Sequence, residues 1–103
     1  MMNDLDRKRL EIAMETPESY VPEHTRHALL DYVQYGHPVG GFLTAVLEND
    51  LKEAFGRADN FNAASLRSIV CWLYNYAPAH CWGRQGAMEY YRECLAKAKE
   101  QVA

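Results

Sequence analysis

Gly40-Gly41 ahead of Phe42, then Asn49-Asp50, then Arg57 between Gly56 and Asp59, are residues whose types and spacing suit the capture of an anion. A glycine pair that opens a helix exposes backbone N–H groups at a positive dipole end, and anions bind such places. The same pair also suits a tight turn after Pro38 that needs a positive φ. No Gly-Lys-Ser/Thr follows, so the pattern is not a phosphate loop. Arg57 can fork onto a phosphate or carboxylate. It can equally pair with Asp50 or Asp59, or cap its own helix. Asp59 and Asn62 are good N-cap types for the helix that follows.

Aromatic residues are numerous for 103 positions: seven Tyr, three Phe and two Trp. Trp72 and Tyr76 lie one turn apart, off the main stripe of their helix, and Trp82-Gly83 closes a loop beside them. They form either a second packed face or a surface on which a base or a protein anchor stacks.

Catalytic and metal chemistry find less support. His80 and Cys81 are neighbours, and adjacent residues rarely aim both side chains at one reacting atom; a nucleophilic Cys needs a base within reach and an orienting group. The carboxylates give no obvious acid/base pair. His24 and His27, three apart, share a helix face, but nothing nearby completes the three or four ligands a zinc ion wants. The expectation is a non-catalytic protein with no cofactor and no metal.

Charge and composition bound the partners. The formal net charge is −3. Non-specific binding to a nucleic-acid polymer needs a basic field instead. No apolar run approaches the roughly 18 residues that span a bilayer. The start, Met1-Met2-Asn3-Asp4-Leu5-Asp6, is polar and acidic, unlike a signal peptide. The expected location is cytoplasmic. Cys71, Cys81 and Cys94 make an odd number with no CxxC pair, which reads as reduced thiols.

Helices must position these residues, since no run alternates apolar and polar residues as a strand does. A polar helix is expected over 3–15, capped by Asn3, with Leu5, Ile12 and Ala13 inward, and a connector at Thr16-Pro17-Glu18-Ser19. A second starts near Pro22, turns Thr25, Ala28, Leu29, Tyr32 and Val33 inward, and stops at Gly36. A third opens at Gly40-Gly41 and either breaks near Asn49-Asp50 into two short helices or runs on as a single bent helix. Leu43, Val46, Leu47, Leu51, Ala54 and Phe55 lie on its inner side, and Asp50 with Glu53 resembles a capping box. The clearest helix covers about 62–77, with Leu66, Ile69, Val70, Leu73, Tyr74 and Ala77 as its stripe. The last covers about 85–101, with Met88, Tyr91, Leu95 and Ala98 inward. The fold class is all-α, a compact bundle of about five short helices. Residues 1–20 form an N-terminal helix and connector, and 21–103 a helical domain, one domain overall.

The run Val39-Gly40-Gly41-Phe42-Leu43-Thr44-Ala45-Val46-Leu47-Glu48-Asn49-Asp50-Leu51, with Gly56-Arg57-Ala58-Asp59, Trp72-Leu73-Tyr74-Asn75-Tyr76-Ala77-Pro78 and Cys81-Trp82-Gly83, resembles the core of a family of short phage and prophage proteins with no settled function. The resemblance covers about residues 21–83. It implies an accessory, counter-defence type of protein made in an infected or lysogenic bacterium and acting by binding. The expected ligand is small, anionic and nucleotide-like, sequestered across a homo-oligomer interface. Gly40 and Gly41 would supply N–H donors, Arg57 a phosphate clamp, Asn49 and Asp50 polar specificity, and Trp72 or Trp82 a stacking face. The alternative is an inhibitor that binds a host defence or regulatory protein directly.

Overall fold

Glycine, proline and capping side chains cut the described chain into seven α-helices and one 3-10 turn. The structure is a computed structural model that describes residues 3–15 and 21–102. The helices are α1 (Asp4–Glu15), α2 (Glu23–Tyr35), α3 (Gly41–Leu47), α4 (Leu51–Arg57), α5 (Asn60–Ala64), α6 (Leu66–Tyr76) and α7 (Ala87–Val102), with the 3-10 turn at Ala79–Cys81. No strand occurs among the described residues. None of their helices is long and apolar enough to cross a membrane. The connector expected at Thr16-Pro17-Glu18-Ser19 lies outside the described residues.

Seven helices rather than about five arise from two breaks. The first is the corner at Asn49-Asp50. Asn49 takes a left-handed conformation, φ 61°, which Asn tolerates better than most residues. Its N–H donates to Val46 O at 3.1 Å, and the Asp50 N–H donates to Ala45 O at 2.8 Å. That pair of bonds closes α3 as a Schellman motif. Asp50 then caps α4, its Oδ1 accepting from the Glu53 N–H at 3.2 Å. The expected capping box is only half formed. The Glu53 carboxylate turns away to Arg57, at 3.0 Å.

The second break divides the long helix expected over 62–77. It falls at Ser65 (φ −102°, ψ 5°), between α5 and α6. Asp59 caps α5 through the Asn62 N–H at 2.7 Å. Asn62 is itself buried, and its Oδ1 accepts from the Thr25 hydroxyl of α2 at 2.8 Å. This buried polar tie fixes α5 against α2. Leaving the Asn62 oxygen without its donor would cost about 1–3 kcal/mol.

The core joins α2, α3 and α6 with the start of α7. Leu29, Tyr32, Val33, Leu47, Ile69, Leu73 and Tyr91 are among its fully buried members. Tyr32 donates its hydroxyl to Cys81 O at 2.7 Å, and Tyr91 donates to Val33 O. Both aromatic residues thus bury their rings without orphaning a polar tip. Gly36 ends α2 with φ 71°. A Cβ there would come within 3.0 Å of the Leu95 side chain, so α7 depends on this glycine for its close approach. Glu48 ties α3 to α7. Its carboxylate accepts from the Gly86 N–H at 2.9 Å and the Met88 N–H at 3.3 Å, at the positive end of the α7 dipole.

Several expected inward residues face out. In α6 the buried stripe is Ile69, Trp72 and Leu73, whereas Tyr74 is 73% exposed. In α4 only Ala54 is buried, and Leu51 and Phe55 are exposed. In α1, Leu10 and Ala13 are buried while Leu5 and Ile12 face outward. Burial of Leu10 contributes about 2 kcal/mol, a slender anchor for a 12-residue helix, since isolated helices of this length are marginal in water.

His80, just before buried Cys81, is partly covered by the rings of Tyr91 and Tyr90, at centroid distances of 5.2 and 6.4 Å. Burial lowers its affinity for a proton below the usual imidazole value; Asp6 opposes the shift and Arg84 adds to it. The folded state therefore prefers neutral His80, and the unfolded chain binds more protons near pH 6.5. Stability from this residue is complete above that pH and is lost as the pH falls below it. The melting midpoint should fall between pH 7.5 and 5, and His80→Phe should flatten that fall. Equal slopes for both proteins would refute the assignment.

Candidate functional site

Asn49, at the α3–α4 corner, lines a small recess of about 80 Å3 and two larger concavities. The larger is an open groove of about 840 Å3 whose lining includes Gly41, Glu48, Asn49, Asp50, Glu53 and Arg57. It gathers four residues expected to bind an anion: Gly41, Asn49, Asp50 and Arg57. Arg57 lies across Gly41; a Cβ on Gly41 would meet the guanidinium Nη1 at 3.0 Å. The charge is unfavourable to an anion, however. Three carboxylates line the groove against a single guanidinium, and Glu53 already pairs with it. Arg57 and Asp50 are both spent on the ends of α4, and Gly40 is the N-cap of α3, its carbonyl accepting from the Thr44 N–H and hydroxyl.

The second concavity is a cleft of about 420 Å3 lined by Arg9, Asn49, Leu73, Tyr74, Ala77, Ala79, Trp82 and Gly83. Among the described residues, no carboxylate lines it. Arg9, on α1, is half-buried and forms no ion pair among the described residues. Trp82 and Tyr74 stand edge to face, with centroids 4.8 Å apart and planes at 90°. The loop carrying Trp82 is pinned by the Gly83 N–H, which donates to Leu47 O at 2.8 Å. The same α3 terminus therefore sets both Asn49 and Trp82. Leu73, Ala77 and Ala79 supply an apolar lining.

These groups can perform recognition: a guanidinium for an anion, an amide for a polar edge, an aromatic pair for a flat ring and a small apolar lining. Of the residues expected from sequence, Asn49 and Trp82 meet here. Trp72 does not, being 1% exposed and packed edge-on against Tyr76 in the core. No open face of Trp72 remains for stacking. Arg9 and Tyr74 were not among the expected site residues. Tyr74 had a legible signal: Ile69, Trp72, Leu73 and Tyr76 fit helical spacing as well as the stripe that includes Tyr74.

Cys81, Tyr32 and Tyr91 are held in unreactive settings by burial. Burial pushes the Cys81 thiol up to about 12, so it stays protonated at neutral pH. Burial likewise raises Tyr32 and Tyr91 far above the usual phenol range. Among the described residues, no three His, Cys, Asp or Glu side chains converge to hold a metal ion. Compared with protein-family models, curated proteins and solved structures, the chain matches none.

Proposed function

We propose that this chain is a binding protein that captures a small, flat, anionic ligand of nucleotide type in the cleft between α1, the α3–α4 corner and the Trp82 loop. The observation that carries this reading is the lining itself: Arg9, Asn49 and the Tyr74–Trp82 pair around a space with no carboxylate among the described residues. The volume falls within the roughly 300–1,000 Å3 of small-molecule sites. Arg9 takes the negative group, Trp82 or Tyr74 stacks the ring, and Asn49 reads its polar edge. The resemblance to short phage and prophage proteins suggests a bacterial cell as the setting and sequestration of a signalling nucleotide as the purpose.

The test is a thermal-shift panel of nucleoside phosphates, cyclic di- and oligonucleotides and NAD-derived compounds. A ligand at about one hundred times its dissociation constant adds about 2.7 kcal/mol, which raises the midpoint of a domain this size by about 10 °C. A panel without any shift would sink the reading.

A second reading has its own observation. Leu51, Phe55 and Phe61 are 65%, 54% and 74% exposed on the successive short helices α4 and α5. Large apolar side chains left in water over so short a span suit a direct inhibitor of a host protein. Leu51→Asp with Phe55→Asp would abolish such an interaction and leave nucleotide binding intact.

A further inference from the structure

The cleft draws its cation from a helix with a small share in the core. Arg9 sits on α1, whose buried residues are Leu10 and Ala13 alone. What holds the far end of α1 is a residue of α2. Arg26 Nη2 donates to Ala13 O at 2.8 Å and to Met14 O at 3.0 Å. Both carbonyls lie in the last turn of α1, at the negative end of its dipole. Gln34, also on α2, adds a contact from its Nε2 to the Met14 sulfur at 3.0 Å. No basic residue of α1 itself lies in that last turn.

We infer that Arg26 is a positioning residue for the ligand cleft: by clamping the C-terminal carbonyls of α1 it holds Arg9 in place, so that α1 docking and ligand capture are coupled. The inference rests on the proposed ligand reading of the cleft. Arg26 does not line the cleft, so its effect on binding passes through α1. Coupling is reciprocal: whatever α1 docking adds to ligand affinity, the ligand returns to α1 docking. The fold thus contains a part whose order reports occupancy.

The test uses the full chain, ADP as the probe, and two readouts. ADP offers a ring to the aromatic pair and an anion to Arg9. Hydrogen exchange of the α1 amides is followed beside calorimetric titration of ADP. Arg26→Ala should speed exchange in α1 by about tenfold and leave α6 unchanged, which shows that the core stays folded. It should weaken ADP by about tenfold, within the usual range of coupling. Arg26→Lys should recover part of both effects. In an Arg9→Ala background, Arg26→Ala should cost no further affinity, because the group it positions is gone. In the unsubstituted protein, ADP should slow exchange in α1.

Unchanged α1 exchange in Arg26→Ala would overturn the inference, as would faster exchange with undiminished ADP affinity. An additive double variant would also overturn it, by showing that Arg26 acts elsewhere than through Arg9. Failure of the unsubstituted chain to bind ADP while other nucleotides shift its midpoint moves the titration to that nucleotide, where the same results support or overturn the coupling. Failure to bind any of them removes the ligand reading, and the coupling with it.

Discussion

Trp72→Ala should lower the free energy of unfolding by about 3–5 kcal/mol, the cost of emptying a buried aromatic site. Trp72 is 1% exposed on the buried side of α6 and packs edge-on against Tyr76. Its removal leaves a void on the helix that carries much of the core. Domains are stable by about 5–15 kcal/mol, so the loss is a large share of the total. Trp72→Phe should cost far less. The Trp72 Nε1 is buried with no acceptor among the described residues, so phenylalanine deletes a burdensome donor and keeps most of the ring. Urea denaturation followed by circular dichroism measures both. A loss below about 1.5 kcal/mol for the alanine variant would contradict the role assigned here.

The contrast between the two tryptophans shows how much of this molecule was legible in its sequence. Local chemistry was readable. Gly36 stops α2, Asp50 and Asp59 cap α4 and α5, and the chain turns a corner at Asn49-Asp50. Each of those outcomes depends on residues within about one turn of the position concerned. The break at Ser65 was not readable, because no proline or glycine marks it. It accompanies a hydrogen bond between Thr25 and Asn62, 37 residues apart in the chain. The rotation of α6 was also hidden. So many of its residues are apolar that two stripes fit equally well, and packing chose the one that exposes Tyr74.

The candidate site divides along the same line. Asn49 and Trp82 stood out in the sequence, and the fold brings them together through the end of α3. Arg57 and Asp50 also stood out, but local geometry absorbs them. One pairs with Glu53 and the other caps α4, four and three residues away. Nothing near Arg9 in the chain marks it as a binding residue. Its significance comes from residues 40 to 74 positions further on, which share the cleft with it.

Arg9→Ala should therefore weaken nucleotide binding by about 10–100-fold, the loss of a charge-assisted hydrogen bond worth about 1.5–3 kcal/mol. Arg9→Glu should abolish it, since a carboxylate then faces the anion. Trp82→Ala should cost a similar factor through lost stacking, worth about 1–3 kcal/mol per base. Asn49 needs a different substitution. Its φ of 61° makes alanine a backbone perturbation, so Asn49→Gly removes the amide while keeping the corner. Arg57→Ala is the decisive comparison. It removes the one cation that lines the acidic groove among the described residues and leaves the cleft untouched. Undiminished binding by Arg57→Ala, with binding lost in Arg9→Glu, assigns the anion to the cleft. The opposite pattern would move the site to the groove across α3, where Gly41 and Arg57 meet. Calorimetric titration of these variants against any nucleotide that raises the melting midpoint gives the answer. Because Arg9 and Arg57 are both charged helix residues outside the core, neither change should lower stability by more than about 0.5 kcal/mol, and a difference between them reads out binding alone.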